Sequence, residues 1–331
     1  MGFTRQYEWL VAWGVLAGIT GTLFHPAANA LVTAHFPKNP GMAIGWMGVG
    51  AGIGFFVGPQ YAGWRATTTG FWWIDVAAWQ LPCIELALVG MVFGVIFFWV
   101  AREVPRQKPL DGEAHPPMGA KLRWRIGLIA PVLGLRDFAG VAMLSLASVY
   151  LQKAHNLDAR QTGFILGAMM LASVVVNPLA VAFSPGGRRL PLLAVLLVMG
   201  AMILATVPLW PVKWVLLVLL AFQACQLATY SVADAAVLER VPALVRGRVI
   251  GLWLTLAGTL GSIGPVVAGW WTDRMKESAA DPSAYFSAFG ILAILMALSA
   301  LSVRMIARIG PPIGHVDIGR EIMPETMGTV V

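Results

Sequence analysis

Apolar residues in this chain come in long blocks, not in the alternation of a half-buried strand, and each block is about as long as a bilayer is thick. A helix rises about 1.5 Å per residue through about 30 Å of hydrocarbon, so about 20 mainly apolar residues make one crossing. Nine segments satisfy that length: 9–33, 41–62, 80–100, 127–150, 161–183, 191–209, 212–238, 249–270 and 284–303. Tryptophans gather near their edges, as at Trp72, Trp73 and Trp79, at Trp210 and Trp214, and at Trp270 and Trp271. Amphipathic rings at headgroup depth have that distribution. The pattern predicts an all-α polytopic membrane protein built as helical bundles with about nine transmembrane helices.

One long polar interruption, Ala101 to Lys121 with Pro105, Pro109, Pro116 and Pro117, separates three spans from six. The expected organisation is a partial three-span bundle over 1–100, a cytoplasmic linker over 101–125, a six-helix bundle over 126–308 and an unstructured cytoplasmic tail over 309–331. Composition agrees with a membrane setting. Apolar residues are 58% and charged residues 12% of the chain, against about 25% charged in a soluble domain, and the mean hydropathy is +0.74.

The net charge of +7 sits between the apolar blocks, and its placement gives an orientation. Alternate loops and the C-terminal tail hold Lys38, the group Arg102 to Arg125, Arg188, Arg189, Arg240, Arg246, Arg248, Arg304, Arg308 and Arg320. The opposite loops hold fewer: Arg5, Arg65, Lys153, Arg160, Lys213, Arg274 and Lys276. The positive-inside rule puts the richer set, and so the C-terminus, in the cytoplasm, with the N-terminus outside. Cys83 and Cys225 lie inside apolar blocks, without a CxxC or a histidine cluster, so no metal site is expected. No small-residue cleavage pattern follows the first apolar block, so no secretory signal is read.

An internal repeat stands out. The second span reads GWMGVGAGIGFFVGPQYAGW from Gly45 to Trp64, and the eighth reads GLWLTLAGTLGSIGPVVAGWW from Gly251 to Trp271. Both place a glycine-proline pair, Gly58-Pro59 and Gly264-Pro265, before a glycine-tryptophan pair, Gly63-Trp64 and Gly269-Trp270. Small residues let helices approach closely in lipid and a proline opens one backbone bond, so Gly45, Gly54, Gly58, Pro59, Gly63, Gly261, Gly264, Pro265 and Gly269 are read as packing and hinge positions.

With these residues the chain resembles the major facilitator superfamily, and within it the drug-efflux branch that includes fosmidomycin-resistance-type proteins. Gly45, Gly54, Gly58, Pro59 and Gly63 resemble the fifth-helix motif associated with proton-coupled antiporters, with Ala62 in place of one of its glycines. Gly18, Gly21, His25 and Pro26 look like the fourth helix, and Arg136 like the arginine near the start of the seventh. The loop signature recurs as Ala180, Ser184, Pro185, Gly187, Arg188 and Arg189 without its acidic residue, and the fourth-helix arginine falls near the uncharged Gly14. The resemblance implies two helical bundles, with these nine spans matching helices four to twelve and the first three not in this chain.

Charges at membrane depth are costly, so the few present are functional leads. His25, beside Pro26, reads as a proton carrier or substrate contact, or as a histidine that stabilises a kink. Glu85 reads as a proton or cation site, or as a hydrated surface carboxylate. Arg136 and Asp137, inside the fourth span, suit an anionic substrate group such as phosphonate or carboxylate, or a gating link. As helix neighbours they point about 100° apart, so each is expected to need a different partner.

Gln223, Gln226, Thr229 and Tyr230 form a polar stripe that suits either a pathway lining or interhelical bonding. Asp234 and Glu239 with Arg240, Arg246 and Arg248 read as a charged cytoplasmic latch or a hydrated face. Asn177, Pro178 and Gly167 read as packing positions.

HExxH, GxSxG and Walker A patterns are not found, no basic groove suits nucleic acid, and neither an enzyme nor a cofactor is expected. The expected partners are the lipid bilayer, a small-molecule substrate and protons. The leading expectation is a proton-coupled exporter working by alternating access in a bacterial cytoplasmic membrane. The alternatives are an uptake transporter, a chain completed by a partner, and a non-transporting structural or regulatory protein derived from a transporter.

Overall fold

The computed structural model describes residue 4 and residues 6–35, 40–67, 77–100, 117–184, 186–242 and 245–312. Every regular element among them is a helix: α1 (Tyr7–His35), α2 (Pro40–Thr67), α3 (Gln80–Val100), α4 (Ala120–Lys153), α5 (Ala159–Ala182), α6 (Arg189–Thr206), α7 (Val212–Leu238), α8 (Arg246–Met275), α9 (Phe286–Ser299) and α10 (Leu301–Ala307), with short 3₁₀ turns between some of them. Lipid offers the backbone no hydrogen-bond partner, so an apolar segment that crosses it satisfies its own amides as a helix. Helices α3 to α8, and α9 with α10 as one run, are long and apolar enough to cross a membrane. Helices α1 and α2, of 29 and 28 residues, also have the length. The break between α9 and α10 is a single tight turn, where the Ala300 amide donates to Ala297 at 3.0 Å.

Helix α4 begins at Ala120, inside the stretch expected to be linker, and runs for 34 residues. Its first turns carry Lys121, Arg123 and Arg125, whose long stems can follow apolar surface while their charges stay in the headgroups. Arg125 donates to the Ile309 carbonyl at 3.2 Å, tying this end of α4 to the residues after α10. Because of the early start, Arg136 is the seventeenth residue of the helix and lies at its middle.

Among the described residues the apolar core cluster runs from Ile126 to Ile306, with α4 against α8 and α9, α5 against α7, and α6 against α7 and α9. Lipid is as apolar as leucine, so this packing is held by close contact more than by hydrophobic transfer. Backbone approach is visible between α4 and α8: a Cβ on Gly134 meets Ala257 Cα at 3.1 Å, and one on Gly264 meets the Ala142 nitrogen at 2.8 Å. The other half is thinner. Helix α1 packs on α2, α3 touches α2 lightly, and α2 crosses α5 to join the two halves.

Candidate functional site

Three arrangements matter, and the first is the α2–α5 crossing. A Cβ added to Gly63 runs into the Ala159 carbonyl, and one added to Gly163 runs into the Pro59 carbonyl. On the next turn a Cβ on Gly167 meets the Phe56 carbonyl at 2.5 Å. Gly163 and Gly167 have the small-xxx-small spacing that lets two backbones touch. Sequence reading took Gly63 and Gly167 as packing residues and passed over Gly163, although that spacing was the available signal. Gly54 and Gly58 have open space where a Cβ would go. An open cavity of about 1020 Å³ flanks the crossing, with Tyr61, Trp64 and Phe164 in its wall and Asp158, Arg160 and Lys213 among its lining.

The second arrangement is a buried ion pair between α2 and α3. Glu85 accepts from Arg65 Nε at 3.0 and 3.1 Å through its two oxygens and from the Tyr61 hydroxyl at 2.5 Å. The Arg65 side chain is 3% exposed and that of Glu85 is 11%. The sequence count had treated Arg65 as an outer-loop charge. The structure keeps it inside α2, four residues after Tyr61, so one helix face presents both donors to the same carboxylate. Glu85 thus sits in an ion pair between α2 and α3, with both donors supplied by one face of α2.

The third lies where α4, α7 and α8 meet. Arg136 and Asp137 pair directly: Arg136 Nε donates to Asp137 Oδ1 at 2.9 Å and its Nη2 lies 2.7 Å from the same oxygen. This overturns the expectation that helix neighbours need separate partners, because the arginine stem is long enough to fold back over the adjacent turn. Arg136 Nη1 donates to the Thr229 hydroxyl at 3.1 Å, and the guanidinium carbon sits 3.9 Å above the Tyr230 ring. Gln226 Nε2 donates to the Arg136 carbonyl at 3.0 Å. Gly140 leaves the room for this, since a Cβ there runs into the Gln226 amide.

Asp234, one turn beyond Tyr230, accepts from the indole nitrogen of Trp253 on α8 at 3.2 Å. It thus belongs to this interior cluster and not to a latch with Glu239. Gln223 reaches toward Met170 on α5 at 3.9 Å, and Ser231 donates to Asn177 Oδ1 at 2.8 Å. Gln226, Thr229 and Tyr230 are thereby brought together with Arg136 and Asp137, with Asp234 one turn further on, while Gln223 turns to α5; Trp253 is the member that sequence reading missed.

At the end of α5 and α7, Arg189 pairs with Glu239 and donates to the Ser184 carbonyl at 2.9 Å. Arg240 donates to Ala236, and Arg246 donates to Val241 at 3.2 Å. The motif Gly187, Arg188 and Arg189 so connects to the charged turn after α7. A Cβ on Gly261 meets Asp137 at 3.3 Å, which places that glycine against the cluster, while Gly269 faces open space and Pro265 lies inside α8. The side chains of His25 and position 45 lie outside the described residues. Among the described residues no group of histidine, cysteine, aspartate and glutamate is arranged to hold a metal ion.

An all-helical fold among the described residues, with helices long and apolar enough to cross a membrane and charges paired in its interior, defines the class as a polytopic helical membrane protein. The family model described as Major Facilitator Superfamily matches residues 1–146 and 137–321, and the chain belongs to that superfamily. It is similar in fold to crystal structures of a bacterial homologue of the human lysosomal transporter Spinster. For the inward-facing, unoccupied form the TM-score is 0.70 at 16% identity, covering 93% of this chain and 80% of that one. For the inward-facing, occupied form the TM-score is 0.71 at 16% identity, covering 93% and 79%. No curated protein matches the sequence.

Proposed function

We propose that this superfamily member is a secondary active transporter that exports a small organic, drug-like molecule in exchange for protons by alternating access. The observation that carries this reading is the α2–α5 crossing. A contact made backbone to backbone by Gly63, Gly163 and Gly167 lets the two halves rock against one another with little side-chain repacking. The interior charges supply the second requirement, groups whose partners can change between states.

Protonation of Glu85 weakens its hold on Arg65 and loosens α3 from α2, which gives proton entry a structural consequence. His25 is proposed as a second proton site. Support for export, as opposed to uptake, comes from the glycine-proline resemblance of α2. The proposed setting is a bacterial cytoplasmic membrane with the C-terminus inside, on the loop distribution of lysine and arginine.

The test is transport by the purified protein in proteoliposomes carrying an imposed pH gradient, with ethidium as the probe. Gradient-driven ethidium movement that is lost in Gly163→Leu at equal incorporation supports the reading. No protein-dependent movement of ethidium or of a wider set of drug-like probes sinks it in favour of a non-transporting membrane protein.

A further inference from the structure

The cavity beside the α2–α5 crossing carries charges that the transporter reading leaves unused. It is built at one end of the bundle, from the last turns of α2 and the first turns of α5 and α7. Its volume of about 1020 Å³ lies at the upper end of the roughly 300–1,000 Å³ that encloses a drug-sized molecule. It is open-sided, so an occupant can extend out of it.

Arg160 and Lys213, counted from the sequence as loop charges, are each the second residue of their helix, and both line the cavity. Among the described residues neither makes an ion pair. The carboxylate in the lining, Asp158, is engaged as the cap of α5, where it accepts the Gln161 amide at 2.6 Å. The cavity is thus left with a positive excess. A cation in the first turn of a helix also stands against the helix dipole, and α7 has neither an acidic residue in that turn nor a side-chain cap to offset it.

Much of the remaining wall is apolar. Val57 and Phe164 are 48% and 50% exposed, and Phe56 and Leu216 line the cavity with them. Trp64 and Trp214, 45% and 47% exposed, stand at the same end of the bundle, as indoles do at headgroup depth. A soluble anion in this place would leave the apolar wall without a partner, and an uncharged lipid would leave the two cations without one. A molecule with a negative head and a chain that runs on into the hydrocarbon satisfies both.

We propose that this cavity is a binding site for an anionic membrane phospholipid, its phosphodiester held by Arg160 and Lys213 and an acyl chain lying against Phe56, Val57 and Phe164. The guanidinium offers a planar fork to two phosphate oxygens and the ammonium adds a point charge. Such a lipid touches α2, α5 and α7 together and so braces the crossing of α2 on α5. The proposal goes beyond the transporter reading and does not rest on it, since binding requires no flux.

The experiment uses the full chain, delipidated in detergent micelles, with native mass spectrometry to count what is bound. Three probes are titrated: phosphatidylglycerol, phosphatidylcholine with the same acyl chains, and sn-glycerol 3-phosphate. The proposal expects one saturable phosphatidylglycerol site that raises the melting temperature on filling. Phosphatidylcholine, whose choline cancels the charge, should bind about tenfold more weakly. Glycerol phosphate, which has no chain, should not saturate over the same range.

Arg160→Gln and Lys213→Gln change exposed side chains and should fold. Each should weaken phosphatidylglycerol by about tenfold, the scale of one hydrogen bond to a charged group, and the double variant should lose the lipid-dependent rise in melting temperature. Arg123→Gln alters a cation at the other end of the bundle and should leave the affinity unchanged, which separates this site from a general attraction of lipid to basic protein. Equal affinity for phosphatidylcholine, glycerol phosphate bound as tightly as the lipid, unchanged affinity in both cavity variants, an equal loss in Arg123→Gln, or no saturable lipid adduct would each overturn the proposal.

Discussion

Arg65 with Glu85 and Arg136 with Asp137 are each a buried arginine paired with a carboxylate, and the two pairs do different things. Arg65 and Glu85 are 20 residues apart on α2 and α3, so their bond is tertiary and fastens one helix to another. Arg136 and Asp137 are neighbours on α4, so their bond fastens nothing across the bundle; it neutralises a charge that the six-helix half then encloses. The surroundings explain the difference. Core residues from Ile126 to Ile306 hold α4 to α10 together without help from charge. Helix α3 has an almost fully exposed apolar surface beyond its first turns, as at Phe98 and Trp99, both 81% exposed, and leans on its ion pair for attachment to α2.

This contrast can be broken by removing one carboxylate at a time, and the two native cysteines report the outcome, Cys83 on α3 and the buried Cys225 on α7. The largest effect is expected from Asp137→Asn. It leaves Arg136, 1% exposed, charged and short of its counter-ion, a loss of about 3–5 kcal/mol by analogy with other broken buried pairs. Thiol labelling of Cys225 should rise steeply while Cys83 changes little. Unchanged Cys225 labelling and melting would mean that Thr229, Tyr230 and the nearby Asp234 hold the guanidinium without it.

Glu85→Gln comes next. Its carboxylate is slightly more exposed, and the glutamine keeps part of the hydrogen bonding, so about 1.5–3 kcal/mol is expected, the worth of a hydrogen bond to a charged group. Here Cys83 should label faster and Cys225 should not, the reverse of the first variant. Equal acceleration at both thiols would show that the halves do not loosen separately. Gly163→Ala is smaller again, about 1–3 kcal/mol for forcing a methyl into a closed contact. It acts between the halves, so it should slow flux in proteoliposomes with both thiols near their wild-type rates. Wild-type flux would remove the α2–α5 contact from the mechanism.

The helices were legible because lipid leaves an apolar block of 20 residues almost no other structure. Which residues met across them was less so. Gly163 and Gly167 announced a close contact by spacing alone, but nothing in one sequence says that their partner is the stretch from Phe56 to Gly63. Arg65 was misjudged because its place near a predicted span end made it look like a loop charge, when Tyr61 four residues earlier put two donors on one face. Arg136 and Asp137 were misjudged because backbone direction was used where stem length decides. Asp234 was grouped with Glu239 by proximity in sequence, and only the packing of α8 on α4 brings Trp253 to it.

The smallest expected effect sharpens the comparison at the turn between α4 and α5. His155 sits edge-on to Tyr150 with ring centroids 4.7 Å apart, and Tyr150 in turn meets Tyr285 and Phe289 edge to face, so the six-helix half has an aromatic cap at this end. His155 Nε2 is buried without a partner, and burial holds the imidazole below its ordinary value of 6.5. The unfolded chain therefore binds the proton first. Stability is present while both forms are neutral, begins to fall as pH drops through about 6.5, and goes on falling until the folded imidazole is also protonated. His155→Phe keeps the ring contact and removes the titration. The drop in apparent melting temperature between pH 7.5 and pH 5.5 should shrink by about 1–3 °C in this variant, and the acid-induced rise in Cys225 labelling should shrink with it. Cys83 should respond to acid as it does in the parent, since the ion pair of the smaller half contains no histidine. An acid shift of the same size in His155→Phe would place the sensitivity elsewhere in the molecule.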